Sequence, residues 1–214
     1  MALSANCLTN LAAVKDELRI PESDTTYDTS LERYIHAVTA AFESLCDRKF
    51  HYGAGIVEKV AGYGTVFVSV SRTPILSVAS IVADGATVDA GDYTIHAEEG
   101  LLHRDTGWAW TASVQPSATY YPVPGSEERS IVVTYTGGYV TPVQATLELP
   151  RTLPYDLEQL CIDGVVAMFR DRGVNKAMTA EKLHGASAQF ERGAFGLPLS
   201  VIDGLKPWMR LSQA

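Results

Sequence analysis

The sequence predicts an α+β protein: a helical bundle of two N-terminal helices plus a long C-terminal helix, with an inserted small antiparallel β domain and an extended C-terminal arm. Three observations predict it. Apolar residues recur at helical spacing as far as Phe50, the pattern switches at His51 to alternation punctuated by Gly, Pro and Asp-Gly, and a helical period returns after Pro154. The run from Ser130 to Tyr139 closes the β region, since Ile131, Val133 and Tyr135 alternate with Val132 and Thr134 before Gly137-Gly138 ends the strand. The expected organisation is a helical body from 1–50 and 140–175, an inserted β domain over 51–139, and an arm over 176–214.

Taken in order, Thr9 fits the cap of a short helix in which Leu11, Val14 and Leu18 share a face, and Ile20-Pro21 ends it. Glu22 to Asp28 is polar and reads as a loop. Thr29 with Glu32 has the form of a capping box, and Leu31, Ile35, Val38, Phe42 and Leu45 then recur at spacings of four and three. This second helix closes at Asp47-Arg48-Lys49, whose cations suit a helix C-terminus. Strand candidates follow at Ile56 to Val60, Thr65 to Val70, Ser77 to Ala83, Tyr93 to His96, Leu101 to His103 and Ser130 to Tyr135. Between the last two lies a long excursion from Asp105 to Ser130, rich in aromatics and prolines. A loop of that length in a compact domain is usually functional or disordered, and its aromatics favour packing on something.

Pro154 fits the first turn of a third helix, with Asp156 and Glu158 at its positive end, Leu157, Leu160, Cys161, Val165, Met168 and Phe169 on its buried face, and Gly173 at its close. That face suits the stripe of the second helix. Beyond it, Glu181 to Phe190 reads as a strand-like arm, and Phe195-Gly196-Leu197-Pro198 leads to a short segment around Val201, Ile202, Leu205 and Trp208.

With 214 residues and 46% hydrophobic content, the chain is long enough for a sizeable core, and one domain carrying an insertion is expected. No stretch approaches the ~20 consecutive apolar residues of a membrane span. The N-terminus has no basic segment followed by an apolar run, so synthesis in the cytosol is expected. Cys7, Cys46 and Cys161 are odd in number and widely spaced, which suggests neither a disulfide framework nor a zinc knuckle. A net charge of −8 argues against gripping nucleic acid through its phosphates. An acidic or neutral lining would instead let a duplex slide past.

Catalytic patterns are sparse. His36, His51, His96, His103 and His184 form no ligand spacing, so no metal is expected, although a hairpin through Ala97-Glu98-Glu99-Gly100 would bring His96 and His103 close. Gly53-Ala54-Gly55 and Gly62-Tyr63-Gly64 lack the context of a phosphate loop and read as turns, and no cofactor is implied. No nucleophile elbow is present, and Glu98-Glu99 and Glu127-Glu128 read as solvated loop pairs. Trp108, Trp110, Tyr120 and Tyr121 are the aromatics of the excursion, suited to a stacking platform, to internal packing or to a protein contact. Arg170, Arg172, Lys176 and Lys182 form a modest cationic cluster that reads as a solvated helix end or a contact with an acidic partner or DNA.

A family resemblance rests on several of these segments together. Leu8-Thr9-Asn10-Leu11 through Leu18, Leu31-Glu32-Arg33-Tyr34-Ile35 through Phe50, Arg72-Thr73-Pro74-Ile75-Leu76-Ser77-Val78, and Val133 through Tyr139 occur in an order and spacing that resemble the head-to-tail connector (adaptor, head-completion) proteins of tailed bacteriophages, the gp6-like or gp15-like group. The resemblance implies a structural virion protein and not an enzyme. It implies a ring, typically a dodecamer, docked under the portal protein at the portal vertex and extending the DNA channel. The ring would meet the next neck or tail component (stopper or tail terminator) while double-stranded DNA passes through without sequence-specific binding, and no membrane is involved. On this view Phe190, Phe195, Leu197 and Trp208 are candidate contacts to portal or neighbour, and Trp108, Trp110, Tyr120 and Tyr121 candidate tail-side loop contacts. Two other classes stay open: a carbohydrate- or surface-binding β module using Trp108 and Trp110, and a small hydrolase built on His96, His103 and nearby acids.

Overall fold

The computed structural model describes residues 3–83, 85–108, 131–173, 180–183, 186–189 and 193–210, and divides into two compact units, one of residues 1–48 with 140–214 and one of residues 49–139. The architecture is α+β, with the α-helices and one two-stranded hairpin in the first unit and two larger antiparallel sheets in the second.

In the helical unit, α1 spans Leu11–Leu18 and α2 spans Asp28–Cys46. The cap of α1 is Asn10 and not Thr9: the Asn10 side chain accepts from the Ala13 N–H at 2.9 Å, while Thr9 is buried and donates to Glu158 Oε1 at 3.1 Å. The capping box expected at Thr29 and Glu32 does not form either. Tyr27 is the N-cap and makes no side-chain cap bond; its carbonyl accepts the first bond of the helix, from the Leu31 N–H at 2.9 Å. Asp28 lies 2.5 Å from Lys15 Nζ, which also donates to the carbonyls of Asp24 at 2.9 Å and Glu22 at 3.2 Å. Three acceptors thus satisfy a lysine ammonium that is itself buried, and they tie the loop before α2 to α1.

The stripe of α2 packs as the periodicity requires: Leu31, Ile35, Val38 and Phe42 are fully buried, and at its end Cys46 rather than Leu45 takes the inner position. Its partner is α3, Tyr155–Arg170, followed by one turn of 3-10 helix to Gly173. Gly164 permits a close approach, since a Cβ there would stand 3.0 Å from a Val38 methyl and 3.3 Å from one of Leu197. Arg172 stacks on Phe169 at 3.7 Å and on Tyr27 at 4.4 Å, so this member of the cationic cluster is engaged within its own unit.

The last described segment is not an extended arm. Pro198 precedes α4, Leu199–Leu205, and Leu197, Val201 and Leu205, four residues apart, are buried in the helical unit. Farther on, the Arg210 N–H donates to the Cys46 carbonyl at 3.1 Å and Arg48 Nη1 to the Trp208 carbonyl at 3.4 Å, satisfying an orphan carbonyl at the end of α2. Where a single strand-like run was expected, Ala180–Leu183 and Ala186–Gln189 pair as an antiparallel hairpin.

In the β unit, β1 (Gly53–Val60), β3 (Ile75–Ala83), β4 (Ala86–Thr87) and β7 (Ile131–Gly137) form one sheet in the order β1-β7-β3-β4. A second sheet joins β2 (Phe67–Ser69), β6 (Leu101–His103) and β5 (Thr94–His96) in that order, and β2 is shorter than the expected Thr65 to Val70 strand. The alternation in β7 is the organising pattern: Ile131, Val133 and Tyr135 are buried and pack with Val60, Val68, Val70, Ile75, Ile81, Leu102 and Trp108, while Val132, Thr134 and Thr136 are half-buried on the other face. The strand ends at Gly138, whose φ is +90° and where a Cβ would stand 2.3 Å from the His51 carbonyl oxygen.

Candidate functional site

Among its described residues, the helical unit displays four large apolar side chains to solvent, Leu147, Tyr155, Phe195 and Leu199. The turns bearing Leu147 and Phe195 and the ring of Tyr155 are each held by specific contacts. Leu147 sits at the tip of a turn closed by the Thr146 N–H to the Leu149 carbonyl at 2.9 Å and the Leu149 N–H to Thr146 Oγ1 at 3.0 Å. The strap bearing that turn is fastened at both ends, since the Thr152 and Leu153 N–H groups both donate to the Val140 carbonyl at 3.1 Å and Thr141 Oγ1 donates to the Ala5 carbonyl at 3.0 Å. Tyr155 opens α3 with the Arg151 guanidinium 3.8 Å over its ring, and Arg151 is fixed in turn by Glu158 at 2.5 Å.

Phe195 has φ +57° in a short 3-10 turn, a left-handed conformation that a bulky side chain rarely adopts. The Gly196 N–H to Gly193 and Leu197 N–H to Ala194 bonds, both 3.2 Å, hold it there, and buried Leu197 anchors the turn. The ring is 58% exposed, so the backbone strain presents an aromatic outward and does not bury it.

The other sequence-predicted contacts are placed differently. Leu197 is fully buried and serves the core, and Trp208 is half-buried in a 3-10 turn with its carbonyl on Arg48. Trp108 is 1% exposed, with its indole N–H donating to the Leu102 carbonyl at 3.0 Å and the Arg104 guanidinium over its ring. An indole so buried is a core residue of the β unit and offers no face for tail-side contact or for stacking a sugar. Phe190, Trp110, Tyr120, Tyr121, Glu127, Glu128, Lys176 and His184 lie outside the described residues.

His96 and His103 do come together across the β5–β6 hairpin, on the diagonal of its register, with ring centroids 6.2 Å apart. Both rings rest against Phe67, at 6.0 Å and 4.7 Å, and His103 Nδ1 lies 3.7 Å from an Asp105 carboxylate that is open to water. Beside them is a cleft of about 250 Å³ lined by Gly91 to Thr94 and His103 to Thr106. The hydroxyl-bearing side chains among the described residues that line the cleft are those of Tyr93, Thr94 and Thr106. The Glu58 carboxylate is committed elsewhere: it accepts from the Ser71 N–H at 2.9 Å, from Ser71 Oγ at 2.9 Å and from Tyr135 Oη at 2.7 Å. Burial and that carboxylate push the Tyr135 phenol well above its ordinary range.

The thiols are equally quiet. Burial pushes the Cys46 thiol up to about 11, raises Cys161 farther, and raises Cys7, whose Sγ lies 3.4 Å from His36 Nδ1. A buried thiol held in its protonated form is a poor nucleophile or metal ligand. Among the described residues no group of three or more His, Cys, Asp or Glu is placed to hold a metal ion, and no helix is long and apolar enough to cross a membrane.

The exposed apolar positions were partly hidden from sequence reading. Phe195 stood out beside its glycine, whereas Leu147, in a proline-flanked polar passage, belongs to no periodic pattern and is singled out only by its exposure.

No protein-family model matches the chain, and no curated protein matches it. Solved structures do. A chain described as "Neck of native GTA particle computed with C12 symmetry" is similar over 99% of this chain and 93% of its own length, at 14% identity and a TM-score of 0.53. One described as "Neck of empty GTA particle computed with C6 symmetry" matches over the same shares at 16% identity and a TM-score of 0.52, GTA denoting a gene transfer agent. At these identities the likeness establishes a shared fold, spanning both units of the chain.

Proposed function

We propose that this chain is a structural neck protein, a head-to-tail connector whose copies form a ring between a DNA-filled head and the tail. The observation that carries the reading is the likeness of fold over nearly the whole chain to neck components of a phage-like particle. A likeness confined to one unit would have supported only a shared module. The twelvefold and sixfold symmetries of those necks support a ring, with twelve the expected copy number.

On this reading the chain works by geometry and not by catalysis. Each copy meets two neighbours, the ring docks under the portal protein, and its other face receives the next neck or tail component. DNA passes through the channel without sequence-specific grip, which the acidic net charge of −8 favours. The protein is made in the host cytoplasm and resides in the virion neck. Phe195, exposed on a constrained turn, is the residue of the C-terminal segment best suited to anchor in a partner, because its strained backbone is fixed before binding and loses little freedom on docking.

Co-sedimentation with portal-bearing, filled heads that lack this protein tests the reading. The wild-type chain is expected to pellet with the heads, and Phe195→Asp to pellet less while keeping its far-UV circular dichroism. A folded wild-type chain that stays in the supernatant would overturn it.

A further inference from the structure

A groove of about 270 Å³ runs between the C-terminal half of α3, the end of α1 and the start of α4, lined by Glu17, Asp163, Val166, Ala167, Arg170 and Val201 with Pro198 and Ser200 at its edge. Asp163, Val166, Ala167 and Arg170 follow one another at helical spacing, so they form one stripe of α3 about 10 Å long whose charge reverses from anion to cation. Its floor is the buried pair Val166 and Val201. Asp163 already accepts from Gln159 Nε2 at 3.0 Å, whereas Arg170 is exposed and makes no ion pair among the described residues.

The turn at Leu147 is the complementary shape. Its leucine is wholly exposed, its backbone is pinned by the reciprocal Thr146 and Leu149 bonds, and the next residue, Glu148, is an exposed carboxylate that makes no ion pair among the described residues. An apolar knob with an anion beside it matches an apolar floor with a cation at its end. The knob is fastened by Arg151 to the first turns of α3, while the groove belongs to the last turns, so within one copy Leu147 stands in water and not in the groove.

We propose that Leu147 of one copy seats in the α3–α4 groove of the next, with Glu148 meeting Arg170. The two patches are different surfaces of one unit, so the contact is heterologous, the kind that forms a ring when its rotation closes. This rests on the ring reading above and names the surfaces that would close it.

Cross-linking tests it. Leu147→Cys and Ser200→Cys, both at exposed positions, are made in separate chains, the three native thiols being buried. Mixed under mild oxidation, the two variants are expected to give a disulfide dimer of unlike copies, with neither variant dimerising alone. Leu147→Asp should lower the assembled fraction at least about tenfold, as loss of a central apolar anchor does. E148R and R170E should each weaken assembly and together restore it. If wild-type rings form and Leu147→Asp rings form equally well with no cross-link, the knob-and-groove contact is wrong and the ring reading stands. If the wild-type chain forms no ring alone or on heads, both fall.

Discussion

Gly138 shows how one residue fixes the end of a strand. At φ +90°, with the His51 carbonyl oxygen 2.3 Å from where a Cβ would stand, Gly138→Ala carries both backbone strain and a clash with main chain. We expect it to destabilise the protein by ~1–3 kcal/mol or more, read as a lowered midpoint of chemical unfolding. The Gly137-Gly138 pair was legible in the sequence as the end of β7, but the partner that makes glycine obligatory, 87 positions earlier in the chain by numbering, was not. Cys46 gives a residue-scale prediction of pH dependence. Burial raises its thiol from 9.0 to about 11, so the unfolded chain releases that proton first as pH rises. Its contribution to stability is therefore complete below pH 9 and is lost as pH climbs through about 11, with Cys161 and Tyr135 acting in the same direction. Urea midpoints should fall across that range, and Cys46→Ala should flatten the fall. Trp108 marks the opposite limit of sequence reading: standing at the start of an aromatic, proline-rich excursion, it suited a stacking platform, internal packing or a protein contact equally by type, and only the fold shows its ring filling the β core.

At the scale of elements, periodicity was the dependable signal. The stripe of α2 and most of the face of α3 were readable: Leu31, Ile35, Val38 and Phe42 recur at spacings of four and three and Leu157, Cys161 and Val165 at four, all fully buried, whereas Leu160 and Met168, also expected inside, are half-buried. Leu31→Ala and Phe42→Ala should each cost about 2–5 kcal/mol, since a cavity opens in a core that relaxes only in part. A mild effect, measured by thermal or urea unfolding, would mean that the stripe is not the seam of the bundle. Helix starts were less legible. The choice of Tyr27 over Thr29 as a cap is made by tertiary partners, the buried Lys15 ammonium holding Asp28, which no local pattern records. The same holds for α4. Its seven residues are too few for a clear period, so Leu197, Val201 and Leu205 read as an exposed tail although they pack into the bundle. Removal of all residues after Gly193 is accordingly expected to lower the melting temperature of the helical unit, beyond any effect on binding, whereas Phe195→Ala should leave the melt unchanged.

For the whole molecule, the order of elements carried more information than any motif. No pair of histidines, thiols or carboxylates in the chain announces a reaction, and those that the fold brings together are packed on Phe67, buried, or bonded to Ser71 and Tyr135. What distinguishes the chain is a β unit inserted between helices that form one unit from both ends of the sequence, an arrangement shared in fold with the neck of a gene transfer agent. The surfaces that would join copies were largely invisible in the sequence, because an exposed leucine and a groove between helices have no pattern until the chain is folded. The central claim is tested most directly by electron cryomicroscopy of portal-bearing particles mixed with the purified chain. The connector account predicts a ring of this protein at the portal vertex, with Leu147 of each copy against α3 and α4 of the next. Particles whose portal vertex stays bare, beside a folded and monomeric protein, would contradict it.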